Sequence, residues 1–234
     1  VSVPDFSARP QLAEDVARIV RRRIFDGTYA AGTYVRLDQL AAELGVSVTP
    51  VREALFELKA EGLLEQQPRR GFLVRPVTVR DIADVSNVQA YLGGELAARA
   101  AAGITEAQLA ELNTIQSDLE AAYVVDDGER AVRLNHEFHR AVNVAADSPK
   151  LAQLMSQITR YAPESVFPTI DGWPEESNCL HRRVLDALAR RDATLARTAM
   201  SEHLAAGAAP LIEHLTRRGV VHPVETAFQQ TQYE

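Results

Sequence analysis

Two groups of residues in this chain could do chemistry, and the first is a set of histidines. They stand at positions 136, 139, 181, 203, 214 and 222, five within helical patterns and the last in the tail. Asn135 and His139 are four residues apart, so they project one turn apart from one helix face. His181 and His203 each fall on one of the last two helical stretches. Three antiparallel helices can bring these four side chains to one point, which is how helical bundles build metal sites. Spacing alone more often yields hydrogen-bonded core histidines, and that reading stays open at this level. An amide and three imidazoles form a neutral ligand set. A divalent cation held there would keep its full charge, binding more weakly or recruiting an anion. Three imidazoles favour zinc, nickel or manganese, without separating them, over calcium or magnesium.

The second group is a set of arginines, Arg36, Arg52, Arg69 and Arg70, placed by the stretch from Arg36 to Val74. Leu37, Leu40, Ala41 and Leu44 repeat at helical spacing and stop at Gly45, a residue suited to a left-handed helix end. A second helix can start with Ser47 or Thr49 as its cap, with Pro50 early, where a missing N–H costs nothing. Val51, Leu55, Leu58 and Leu63 form its buried stripe, and Arg52 lies off that stripe near the N-terminus, in reach of a base or a phosphate. Leu63-Leu64-Glu65 and Gly71-Phe72-Leu73-Val74 then read as two short strands, with Arg69 and Arg70 in the joining loop. The pattern is a winged helix-turn-helix. Helix pairs ending in glycine are common elsewhere, and Arg52 beside Glu53 can be ordinary solvated surface; the combination of features points to DNA.

The run GVSVTPVREALFELKAEGLLEQQPRRGFLV resembles the DNA-binding domain of the GntR family of bacterial transcription regulators, with upstream similarity through Ile24-Phe25-Asp26-Gly27 and Gly32. The resemblance implies DNA contacts from Arg36, Ser47, Val48, Thr49, Arg52, Arg69, Arg70 and Gly71. Two positions depart from the family. Val48 stands where arginine is common, which either removes a base contact or exchanges it for apolar contact with a thymine methyl, and Ala31 replaces the usual proline before Gly32.

Composition bounds the rest. The 234 residues are 46% hydrophobic and 24% charged, in the range of soluble globular proteins. No run approaches the roughly 20 apolar residues needed to cross a bilayer and no signal segment opens the chain, so no membrane partner and a cytoplasmic location are expected. Cys179 is the one cysteine, which excludes an internal disulfide and a cysteine-cluster metal site. The net charge of −7 is unevenly spread: residues 1–78 hold 11 Lys or Arg against 10 Asp or Glu, and residues 79–234 hold 14 against 22. A near-neutral reader must rely on a few local arginines and on dimerisation rather than on a broad basic face.

Taken in order, the chain reads as a lead-in at 1–10, a winged helix-turn-helix at 11–75, a linker at 76–79, a helical domain at 80–218 and a tail at 219–234. The first helix carries Leu12, Val16, Ile19, Val20 and Ile24 on its stripe, with Arg18, Arg21, Arg22 and Arg23 as a solvated face. After Pro76 only helical patterns follow. They run from Val79 or Arg80 to Ala102, loosened at Gly93-Gly94, then Thr105 to Val124, Glu129 to Ala145, Pro149 to Tyr161, Glu175 to Arg190 and Thr194 to Arg217. Thr105 and Gln108 form a capping-box signature. The expected fold is mainly α: a winged helix-turn-helix with a small β-ribbon wing, then a bundle of about six helices.

A winged reader followed by such a bundle resembles the FadR subfamily of GntR regulators, with an FCD-type effector-binding domain. Many of its members bind a divalent metal through an Asp, a His four residues later and two further His. That resemblance carries onto His139, His181 and His203, while Asn135 departs from the Asp. Relatives often place an effector-binding arginine where this chain has Tyr91, leaving Arg133 and Arg160 as other cationic candidates for the effector.

The resemblance implies a homodimeric transcription regulator that binds a palindromic double-stranded DNA operator and responds to a small-molecule effector, a small organic acid or related metabolite. A rival from another class is a metal-dependent enzyme with the winged domain as a docking module. Such an enzyme needs an open metal position and a nearby base. Glu137, two residues from His139, points to another helix face. A third reading, an architectural DNA-binding protein, requires no effector.

Overall fold

The computed structural model describes residues 9–161 and 164–222, so most of the expected lead-in and the tail beyond residue 222 lie outside the described residues. The chain divides into two compact units, residues 1–79 with 215–234 and residues 80–214.

The first unit contains α1 (Arg9–Phe25), β1 (Tyr34–Val35), α2 (Leu37–Leu44), α3 (Val48–Ala60), β2 (Leu64–Gln67) and β3 (Gly71–Val74). Val16, Ala17, Val20 and Ile24 bury the inner face of α1 against α3, whose Val51, Ala54, Leu55 and Leu58 are fully buried. Leu12 and Ile19, expected on the stripe, are 39% and 37% exposed and sit at its edge. Gly45 closes α2 at φ 67°, the left-handed conformation its position calls for. The cap position of α3 is Ser47, in extended backbone, so Thr49 lies inside the first turn rather than capping it.

The wing has three strands rather than two. Its order is β1-β3-β2, all antiparallel, with Val35 opposite Phe72 and Gln67 opposite Gly71. Two residues of β1 are too few to show an alternating pattern, which is why periodicity missed them. The basic face of α1 is not simply solvated either. Arg21 pairs with Glu61, and Arg23 donates to Glu43 and to the Tyr29 hydroxyl. The stretch expected as a linker contains β4 (Val77–Thr78), which pairs in parallel with β5 (Val221–His222), and Val77 is buried.

The second unit lies within the helices that follow β4: α4 (Val79–Gly103), α5 (Glu106–Val124), α6 (Gly128–Ala145), α7 (Pro149–Thr159), a 3-10 turn (Glu164–Thr169), α8 (Trp173–Ala189), α9 (Ala193–Ala206) and the larger part of α10 (Ala208–Arg217). Thr105 and Gln108 make the reciprocal capping box on α5, and the Asp192 carboxylate accepts from the Thr194 and Leu195 amides to start α9. Two departures have local causes. The last expected helix divides after Ala206, because Pro210 has no N–H to return to the Ala206 carbonyl. Helix α8 begins at Trp173, two residues before the expected start, with Pro174 in its first turn.

Gly93-Gly94 does not loosen α4, which runs through both residues unbroken. A β-carbon on Gly93 would lie 2.2 Å from Leu204 Cδ1, and one on Gly94 would lie 2.2 Å from Ser201 Oγ and 3.0 Å from the Arg197 carbonyl oxygen. The glycines let α9 approach α4 closely, and the Ser201 hydroxyl donates to the Ala90 carbonyl across that crossing. Leu96, Ala97, Leu112, Phe138, Val142, Val184, Leu188, Ala196 and Met200 belong to the core that α4, α5, α6, α8 and α9 enclose.

Candidate functional site

Three helices of the second unit deliver one histidine each to a common point. His139 comes from α6, His181 from α8 and His203 from α9. His203 Nε2 stands 3.1 Å from His181 Nε2 and 3.2 Å from His139 Nε2. Imidazoles sharing one cation at about 2.0–2.1 Å would hold their nitrogens about 3.0–3.4 Å apart, so this spacing fits a divalent ion. His181 and His203 are buried and His139 is half-buried. Burial holds the imidazoles of His181 and His203 well below the usual histidine range, the neighbouring rings adding to it, and leaves both neutral. Neutral imidazole is the form that ligates metal.

Aromatic rings wall the cluster. Phe138 stacks on His181 with centroids 4.1 Å apart, and Trp173 lies over His203 at 6.2 Å with Phe167 tilted against it. Gly207, one turn past His203, makes room for them, since a β-carbon there would meet Phe167 and Trp173 at 3.2–3.3 Å. Two buried polar atoms, Ser177 Oγ and His203 Nδ1, have no hydrogen-bonding partner among the described residues.

Sequence reasoning missed the residue behind His181. Gln116, fully buried on α5, places its Oε1 2.7 Å from His181 Nδ1. The signal was present: Leu112, Ile115, Gln116 and Leu119 share one buried stripe, and an amide on an apolar stripe needs polar partners.

Of the other candidates, Asn135 is half-buried one turn before His139 on α6. Tyr91 is 68% exposed on α4, and Arg133 on α6 and Arg160 at the end of α7 are also exposed. Glu95, next to the Tyr91 turn, is engaged by Arg197, whose guanidinium holds its carboxyl below the usual range.

On the first unit, Arg36, Ser47, Thr49, Arg52, Arg69 and Arg70 are exposed, and Val48 and Gly71 half-exposed. Arg36 occupies the cap position of α2, and Ser47, Val48, Thr49 and Arg52 line the N-terminal turns of α3. The wing turns at Pro68-Arg69, closed by the Arg70 amide donating to the Gln67 carbonyl. Arg69 adopts φ 64°, normally a glycine conformation, costing an L-residue about 1–2 kcal/mol.

Residues 12–74 match the bacterial regulatory proteins of the gntR family, and residues 84–206 match the FCD domain. The chain belongs to the GntR family of transcriptional regulators. It is 32% identical over 206 residues to the probable D-xylose utilization operon transcriptional repressor of Paenarthrobacter nicotinovorans, covering 85% of this chain and 88% of that one. It is 26% identical over 193 residues to the HTH-type transcriptional repressor RspR of Escherichia coli, covering 82% and 85%. Among solved structures, E. coli McbR/YncC superposes with a TM-score of 0.70 at 25% identity, over 87% of this chain and 98% of that one. These relatives are transcription regulators, not enzymes, so the rival enzymatic reading falls away. The GntR regulator accordingly pairs a DNA-binding winged helix-turn-helix with an FCD effector-binding domain. Among the described residues, no helix is long and apolar enough to cross a membrane.

Proposed function

We propose that this GntR regulator holds a divalent cation, zinc, nickel or manganese, on His139, His181 and His203 with Asn135 beside them, and that an anionic small molecule bound there controls operator affinity. The observation that carries the reading is the convergence of three imidazole Nε2 atoms, the central one 3.1 and 3.2 Å from its neighbours, inside a helical core. The donors are neutral, so a cation would supply an uncompensated positive centre for an effector carboxylate. Tyr91, Arg133 and Arg160 are the candidates for further effector contacts.

The protein acts as a homodimer in the cytoplasm, two reader domains meeting half-sites of a palindrome about one helical turn apart or closer. Control is linkage: an effector that prefers one arrangement of the helical domain shifts the population that binds DNA, and operator binding shifts effector affinity by the same factor. An architectural DNA-binding protein would show no such response.

Metal analysis of untagged protein beside His139→Ala and His181→Ala tests the site. About one equivalent in the parent, lost from both variants, is expected, together with a shift in operator affinity on adding small carboxylates. A parent that stays metal-free after incubation with zinc, nickel or manganese rejects it.

A further inference from the structure

Three polar partners surround the Gln116 amide, and they decide which way it points. Gln116 Nε2 donates to Glu120 Oε1 at 3.1 Å and to Asn178 Oδ1 at 3.0 Å, while its Oε1 faces His181 Nδ1. The two ends of an amide have nearly the same shape, so orientation must be argued from what each neighbour can donate or accept. Asn178 is itself an amide and settles nothing alone. Glu120 does settle it. Arg182 grips its carboxylate with Nε at 2.7 Å and Nη2 at 2.8 Å, and that guanidinium holds the carboxyl below the usual range, so Glu120 is ionised and only accepts. The end of Gln116 that meets Glu120 must therefore be its NH2.

The consequence runs inward. Gln116 Oε1 is left facing His181 Nδ1, and a carbonyl oxygen only accepts, so the proton between them belongs to Nδ1. A neutral imidazole carries one N–H. Its Nε2, the atom 3.1 Å from His203 Nε2, is then a bare lone pair aimed into the cluster. All five residues belong to α5 and α8: 116 and 120 lie one turn apart on the first, and 178, 181 and 182 share one face of the second.

We propose that Gln116, oriented by the Arg182–Glu120 pair, is the positioning residue that fixes the tautomer of His181 and presents its Nε2 to the cation site. The link to metal affinity rests on the metal reading above; the tautomer assignment does not. Arg182 and Glu120 thus connect the solvent-facing side of the helices to the buried histidines through two hydrogen bonds. Gln116 carries no charge, so the ligand set stays neutral, as an anionic effector requires.

The test uses full-length, metal-free protein with 15N-labelled histidine, as parent, Gln116→Leu and Glu120→Gln, followed by Co²⁺ titration in competition with a chelator. Long-range 1H–15N spectra should show His181 of the parent as the Nδ1–H form. Gln116→Leu should gain the Nε2–H form and bind Co²⁺ about 10–100-fold more weakly. Glu120→Gln, which removes the carboxylate that orients the amide together with its Arg182 ion pair, should show both tautomers and a smaller loss of affinity. If Gln116→Leu does not fold, the tautomer mixture in Glu120→Gln decides. A parent His181 in the Nε2–H form overturns the proposal, as does a folded Gln116→Leu with parental tautomer and Co²⁺ affinity. A parent that takes up no Co²⁺ yet shows the tautomer change in both variants sinks the metal reading and leaves the role of Gln116 standing.

Discussion

Arg21 reaches from α1 to Glu61, the residue that closes α3, with Nε 3.0 Å from Oε2 and Nη2 2.5 Å from Oε1. Both side chains are mostly buried, at 13% and 15% exposure. The pair ties the first helix of the reader to the far end of the helix that presents Arg52. Arg21→Ala should lower the stability of the reader unit by about 1.5–3 kcal/mol, the range for hydrogen bonds to charged groups. Arg21→Lys should recover less than half, because one ammonium cannot reproduce the fork. Chemical denaturation of the three proteins checks both, and equal stability for all three would show the pair to be idle.

The crossing of α4 and α9 predicts an asymmetry between two adjacent glycines. On Gly94 an added methyl meets backbone, the Arg197 carbonyl oxygen at 3.0 Å, whereas on Gly93 it meets the end of the flexible Leu204 side chain. Gly94→Ala should therefore cost about 1–3 kcal/mol of overpacking, exceeding the roughly 1 kcal/mol gained in helix propensity. Gly93→Ala should cost less, and the order of the two melting temperatures reads the difference.

If Arg52 and Arg70 are the DNA contacts proposed for them, their contributions to DNA affinity should be separable. Arg52→Ala, at the N-terminal end of α3, should lose about 1–3 kcal/mol of discrimination at one base position if its contact is bidentate to guanine. Arg70→Ala, at the wing tip, should weaken binding evenly over all sequences and reduce the salt slope by about one. Titrations against a set of single-base operator variants at several salt concentrations distinguish them. Uniform loss for Arg52→Ala would make it a phosphate contact.

The buried histidines make the metal-free protein sensitive to acid. His181 and His203 have imidazoles pushed well below the ordinary value near 6.5, so the unfolded chain binds more protons than the folded one once the pH drops beneath that value. Their contribution is at its full value above about pH 6.5 and is lost progressively as the pH falls further, with stability rising with pH throughout the window. Thermal melts between pH 8 and pH 5 in the presence of a chelator should show the decline. His203→Asn should flatten it, whereas an unchanged slope would place the titrating groups elsewhere.

Asn135→Asp restores a carboxylate where the chain has an amide. If Asn135 faces the cation, the added negative charge should tighten zinc binding on the order of tenfold or more and reduce any effect of small carboxylates on operator affinity. Competition with a chelator measures the first, operator titration the second. Unchanged zinc affinity would remove residue 135 from the ligand set.

Gly45, Ser47, Pro50 and the Val51-Leu55-Leu58 stripe made the reader legible in the sequence, because caps, helix breakers and helical period act between residues a few positions apart. Thr105 and Gln108 did the same for a helix start in the second unit, and the family resemblance singled out His139, His181 and His203 as the cluster. Tertiary structure alone decided what depends on distant segments meeting. The strand Tyr34–Val35 exists because Phe72 and Leu73 lie alongside it, and Arg21 is a brace only because Glu61 comes within reach. Gly94 reads as a weak point of a helix until α9 packs on it, and Gln116 reads as a misplaced amide until Glu120, Asn178 and His181 surround it. Local hydrogen bonding determines where a helix starts and which face is apolar; the chemistry of a buried polar group also needs partners brought from far along the chain, as the separations of 65 between Gln116 and His181 and 62 between Glu120 and Arg182 show.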